Sequence, residues 1–113
     1  MSVTIYHNPR CSKSRATLAL LQGRGIQPVV IDYLKTPPTA AEIRRLLTLL
    51  KRAPEALIRK NEAEYKEIAD LNLDADGLIA AMAKYPKLIE RPIVVANNRA
   101  VIGRPPENAL EII

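Results

Sequence analysis

A chain of 113 residues has room for one compact domain with one core and is short for two of ordinary size. Its composition, 48% hydrophobic and 26% charged, excludes wholesale disorder, and the absence of Trp and Phe beside only four Tyr means an aliphatic core and weakens any case for stacking on nucleobases. The net charge of +5, from 17 Lys and Arg against 12 Asp and Glu, suits an anionic partner, but the basic residues are scattered rather than gathered into an arm, which argues against nucleic acid.

Val3 to Tyr6 form a short β-prone run that His7-Asn8-Pro9 breaks, and Cys11 follows the break directly. From Ser12 the pattern is helical through Leu21, and Gly23 and Gly25 mark its end. Val29-Val30-Ile31, a continuous apolar run between Pro28 and Asp32, predicts a strand buried on both faces. Strand, helix and strand with a helix-length crossover imply a parallel pair.

Thr39 followed three residues later by Glu42 is a capping box, and Ile43, Leu46, Leu47 and Leu50 make one apolar helix face behind it. Pro54 opens a short helical turn ending near Arg59. Asn61 with Glu64 predicts a further cap, for a helix through Ile68, and Asp74 caps a helix carrying Leu78, Ile79 and Met82 that stops before Pro86. After Pro92, Ile93-Val94-Val95 and Ala100-Val101-Ile102 are joined through Asn97-Asn98, a β-hairpin signature. Gly103-Arg104-Pro105-Pro106 then turns the chain into a short terminal helix.

The element order predicts a single α/β domain over residues 1–113. It is a four-stranded mixed sheet flanked by helices, with an all-helical insertion between the second and third strands. No apolar run approaches the ~20 residues that span a bilayer, and the N-terminus lacks the features of a signal peptide. A lone cysteine cannot form an internal disulfide, as expected in a reducing cytoplasm.

A cysteine at the entry to a helix is where peptide dipoles and free N–H groups stabilise a thiolate. His7, Arg10, Lys13 and Arg15 add actual or potential positive charge to the same segment, so Cys11 is expected to act as a thiolate nucleophile. The alternative is a small buried hydrophobe, which the polar flanks Asn8-Pro9-Arg10 and Ser12-Lys13-Ser14 disfavour. The N–H groups of Ser12, Lys13 and Ser14 form a ready anion cradle, and the Ser14 hydroxyl is placed to donate to the sulfur. Alternatively the two serines only cap the helix. His7 either biases the thiolate or is structural.

Arg91 and Arg104 each precede a proline, which keeps them out of α-helical geometry and places them at strand entry or exit, where their side chains reach a shared rim. A guanidinium fork suits a tetrahedral oxyanion and stays charged throughout. Arg59, at the end of a short helix, carries no comparable signal. One Cys and one His are too few for a zinc site. With no second cysteine, Cys11 cannot be resolved within the chain, so a reducing thiol must come from outside.

The stretch His7-Asn8-Pro9-Arg10-Cys11-Ser12-Lys13-Ser14-Arg15 resembles the active-site signature of the glutaredoxin-coupled arsenate reductase family in its compact chromosomal form. The similarity runs over essentially the whole chain, through Glu90-Arg91-Pro92-Ile93-Val94 and Ile102-Gly103-Arg104-Pro105-Pro106-Glu107. The resemblance implies a thioredoxin-like fold and a cytoplasmic oxidoreductase of arsenic detoxification, with no bound cofactor. Arsenate is then the substrate, glutathione the co-substrate and glutaredoxin the partner. It further implies that Cys11 attacks arsenate, that Arg59, Arg91 and Arg104 surround the oxyanion, and that Pro92 is cis. Arsenate reductases built on a phosphatase-like loop need Cys-x-x-x-x-x-Arg, and the sixth residue after Cys11 is Thr17, which excludes that route. Two other functions suit the same fold. One is a monothiol glutathione-exchange oxidoreductase. The other is a redox-responsive RNA-polymerase-binding regulator, whose relatives sense through Cys-x-x-Cys where this chain has Cys-x-x-Ser.

Overall fold

The computed structural model describes residues 2–113, which group into two compact units: the chain up to Thr36 together with Arg91–Ile113, and Pro37–Glu90. The first unit holds strand β1 (Val3–His7), helix α1 (Ser12–Gly23), strand β2 (Val29–Asp32), strands β3 (Ile93–Ala96) and β4 (Arg99–Ile102), and a terminal 3₁₀ segment, Pro106–Glu111. The four strands form one sheet in the order β2-β1-β3-β4. β1 pairs parallel with β2, as the helical crossover requires, and antiparallel with β3. The hairpin closes on Asn97 and Asn98, both at positive φ (54° and 58°), the backbone that a two-residue turn demands and that Asn tolerates. The mixed four-stranded sheet is the fold anticipated from the element order.

Strand alternation puts Val3 and Ile5 of β1 on the same face as Val94 and Ala96 of β3, and this face is sealed by Leu21 of α1 with Ala109 and Ile112 of the terminal segment. The apolar run of β2 is the exception. It was expected to be buried on both faces, yet Val29 and Val30 are 57% and 46% exposed. The reason is topological, because β2 is an edge strand, and an apolar run does not distinguish edge from centre.

The second unit is helical, with α2 (Ala40–Leu50), α3 (Ala75–Lys84) and 3₁₀ segments at Pro54–Ala56, Ala63–Glu67 and Pro86–Leu88. Thr39 accepts from the Glu42 N–H and Glu42 reaches back to the Thr39 N–H, completing the capping box, and Asp74 caps α3 through the Gly77 N–H at 2.8 Å. Asn61 does not act as the expected cap. The 3₁₀ segment that replaces the expected helix starts at Ala63, and Glu62 occupies its N-cap position without a side-chain bond. A single antiparallel bridge, Ile58 to Ile89, adds a β contact inside what the sequence presents as purely helical. Among the described residues no helix is long and apolar enough to cross a membrane.

Candidate active site

β1 delivers the chain to a tight turn in which the Cys11 N–H donates to the Asn8 carbonyl at 3.0 Å, and the Cys11 carbonyl then accepts from the Arg15 N–H at 3.0 Å. Cys11 is thereby the N-cap of α1, in extended conformation (φ −94°, ψ 123°) with no side-chain capping bond. The first N–H groups of a helix have no intrahelical partner, so those of Ser12 and Lys13 stand open beside a sulfur that does not use them. Cys11 is only 8% exposed, whereas Ser12 and Lys13 are exposed.

The sheet registers set what faces this turn. Tyr6 pairs with Ile93, and Ile93 with Ile102. The Gly103 N–H donating to the Pro92 carbonyl at 2.9 Å carries the β3-β4 ladder one position further. Asn8 follows the last residue of β1, Arg91 precedes β3 by two residues and Arg104 follows β4 by two, so all three leave or enter strands at the same end of the sheet. Arg91 and Arg104 thus sit at strand entry and exit, as expected from the following prolines, and both of those peptide bonds are cis, including that of Pro92.

Arg91 is the unusual residue at this end of the sheet. Its Nε and Nη1 are buried and, among the described residues, have no hydrogen-bond partner. A buried donor without an acceptor costs about 1–3 kcal/mol, more when charged, and native proteins leave few such groups unless a ligand or water meets them. Arg104 is exposed, and its backbone is pinned by Asn108, whose Nδ2 donates to the carbonyls of Ile102 and Arg104, each at 3.2 Å.

Behind the cysteine, His7 and Ser14 are both buried. His7 Nδ1 and Ser14 Oγ lie 2.6 Å apart, and the Asn8 N–H donates to the same Oγ at 2.9 Å. The Ser14 hydroxyl is thus held between the His7 ring and the Asn8 N–H. Burial pushes the His7 imidazole below its ordinary value of 6.5; the Asp32 carboxylate opposes the shift and the Arg15 guanidinium adds to it. The Ser14 hydroxyl therefore serves His7 and the turn, rather than the sulfur as the sequence suggested. Serine spacing alone does not reveal which partner wins.

Two residues passed over in the sequence hold the site together. Thr17, fully buried, approaches the carbonyls of Lys13 at 2.8 Å and Gly103 at 3.2 Å with its hydroxyl. A Cβ on Gly103 would stand 2.6 Å from Thr17 Oγ1 and 2.9 Å from the Pro92 ring, so glycine lets helix, proline and the Arg104 loop meet. The glycine directly before Arg104 was the available signal for this close approach. Arg59 belongs to the second unit, where it pairs with the Glu62 carboxylate and, through Nε at 3.4 Å, with Glu90. The backbone ladder Arg59 N–H to Leu88 and Glu90 N–H to Leu57 keeps it there.

The model of the ArsC family matches residues 6–112. The chain is 48% identical to the arsenate reductase of Neisseria meningitidis serogroup A over 94% of this chain and 93% of that one, and 55% identical to the uncharacterized Escherichia coli protein YfgD over 98% and 96%. Among solved structures, an arsenate reductase from Vibrio cholerae is similar at a TM-score of 0.95, with 56% identity over 100% of this chain and 98% of that one.

Proposed function

From the premise that the chain belongs to the ArsC family, we propose that it reduces arsenate to arsenite, with Cys11 as nucleophile and glutathione and glutaredoxin as the external reductant. The observation that carries this reading is Arg91, whose two buried donors lack any acceptor among the described residues, at the same end of the sheet as the Cys11 turn. A tetrahedral oxyanion supplies oxygens in the fork geometry that a guanidinium binds bidentately. The open N–H groups of Ser12 and Lys13 favour the same charge, and Arg104 supplies a second guanidinium. Arg59 enters the proposal through the family resemblance alone.

The Cys11 sulfur attacks arsenic and a sulfur–arsenic bond forms as an oxygen leaves as water, arsenic remaining pentavalent. Arg91 and Arg104 balance the charge that builds on the remaining oxygens. Glutathione then replaces a second oxygen as its thiolate, releasing another water. A glutaredoxin thiolate attacks the glutathione sulfur, so a mixed disulfide forms while the electron pair of the glutathione–arsenic bond passes to arsenic, which becomes trivalent. Water finally displaces Cys11, regenerating the thiol and releasing arsenite. The neutral His7, held by Ser14, positions the turn and carries no step of its own.

The test is NADPH consumption in a mixture of the protein, arsenate, glutathione, glutaredoxin and glutathione reductase. Arsenate-dependent turnover is expected, lost in Cys11→Ser and lowered roughly a hundredfold or more in Arg91→Ala, the scale of losing preorganised oxyanion donors. Absence of arsenate-dependent turnover from a protein whose Cys11 titrates as a free thiol would overturn the reading in favour of monothiol exchange.

A further inference from the structure

A cavity of about 330 Å³ opens beside the Cys11 turn, lined by Asn8, Pro9, Arg10, Asp32, Leu34 and Lys35. It lies wholly within the sheet unit, at the C-terminal ends of the parallel strands β1 and β2, where loops leave a sheet and ligands commonly settle. Its size is at the lower end of the range for small-molecule sites, roughly 300–1,000 Å³. None of the steps of arsenate reduction described above uses its lining.

The lining has a definite charge pattern. Arg10 and Lys35 are exposed and, among the described residues, neither forms an ion pair. Asp32 is half-buried, and its Oδ1 accepts the Leu34 N–H at 3.2 Å. The wall on the cysteine side is fixed, because Asn8 Oδ1 accepts the Arg10 N–H at 3.0 Å while the Asn8 carbonyl accepts the Cys11 N–H at 3.0 Å. The cavity thus offers two cations and one carboxylate on a floor attached to the nucleophile's own turn.

We infer that this cavity is the binding site for reduced glutathione, with Arg10 and Lys35 receiving its two terminal carboxylates and Asp32 its ammonium group. The assignment rests on the functional reading above, which calls for glutathione as the second thiol. Glutathione carries two carboxylates at its ends, one ammonium beside the first, and a thiol in the middle, which is the inverse of the lining. A ligand spread between Arg10 and Lys35 has its centre against the wall formed by Asn8, Pro9 and Arg10, the segment that leads directly into Cys11. Arsenate has no ammonium for Asp32 and is repelled by that carboxylate, so oxyanion and thiol keep separate seats.

Binding of reduced glutathione to the full-length protein, without arsenate and under argon, tests this by titration calorimetry and by backbone amide shifts. Saturable binding is expected at millimolar ligand, with shifts centred on Asn8, Arg10, Leu34 and Lys35. Arg10→Ala and Lys35→Ala should each weaken it about three- to tenfold, the range for charge-assisted bonds at partly solvated sites. Arg99→Ala, an exposed cation outside the cavity, should not. γ-Glutamylcysteine, which lacks the glycine carboxylate, should bind more weakly than glutathione and lose its sensitivity to one of the two cation substitutions. No saturable binding, competitive displacement by arsenate, or affinity indifferent to both substitutions overturns the site. Arsenate-dependent turnover in the same preparation would then still uphold the reductase reading, whereas glutathione binding without arsenate turnover would sink that reading and leave the site standing.

Discussion

The two orphan donors of Arg91 tie one side chain to a geometric requirement rather than to charge alone. Lysine keeps the charge but presents a compact ammonium in place of a planar fork. Arg91→Lys is therefore expected to recover no more than a minor part of the activity lost in Arg91→Ala, most visibly in kcat/KM for arsenate. Ser14→Ala strips partners from the buried His7 Nδ1 and Asn8 N–H at once, and should destabilise the protein by about 1–3 kcal/mol, measured as a shift of the urea midpoint. His7 gives the pH dependence. Its native pKa lies below the ordinary 6.5, so the unfolded chain takes up the proton first, and the associated stability is complete above about 6.5 and lost as the pH falls through that value toward the native one. Urea titrations should show the wild type losing stability across that window and His7→Gln losing less. At this scale the sequence placed Cys11 at the head of α1, where it is found, but its polar flanks spoke against a core position and the side chain is buried, because neighbours along the chain do not show which way one residue of a turn faces. The sequence did not reveal the partner of Ser14, which the turn between β1 and α1 brings back to it, or the closeness of Thr17 to Gly103, which are distant in sequence.

Among the elements, those legible in advance were the ones whose signals are local. The capping box of α2, the Asp74 cap of α3 and the paired asparagines of the hairpin each compress a geometric rule into a few neighbouring residues. Removing the first of these in Thr39→Ala should cost about 1 kcal/mol, read from the thermal unfolding midpoint. The helix expected through Ile68 emerged as a 3₁₀ segment, where a cap signal is shared by both helix types and packing decides between them. Long-range closeness drives the sharpest expectation at this level. Gly103→Ala introduces a methyl into contacts of 2.6 to 2.9 Å with Thr17 and Pro92 and should destabilise by about 1–3 kcal/mol. Because the same contact joins the cysteine helix to the Arg104 loop, it should also lower kcat/KM for arsenate more than Thr39→Ala does.

For the whole molecule, the four-stranded mixed sheet was readable from element order because a parallel pair followed by a hairpin leaves few topologies open, while its thioredoxin-like character came from the family resemblance. The helical insertion between β2 and β3 was legible too, from its caps and apolar spacing, whereas its grouping into a compact unit of its own depends on packing that no local signal states. The net charge of +5 acts at this scale. The screening length shrinks from about 10 Å at 0.1 M salt to about 3 Å at 1 M, so kcat/KM for arsenate should fall as sodium chloride is raised while kcat changes little; a flat profile would mean the field does not assist encounter. The bare margin of the sheet has a different consequence. β2 presents two exposed valines on a strand whose outer side has no partner in the sheet, and such a margin is a template for another chain's backbone. Its shortness, with Pro28 before it and Asp32 as its last residue, limits the template to four residues, which makes this the place where concentrated protein would begin to aggregate and where a lysine on the valine side would improve its keeping in solution.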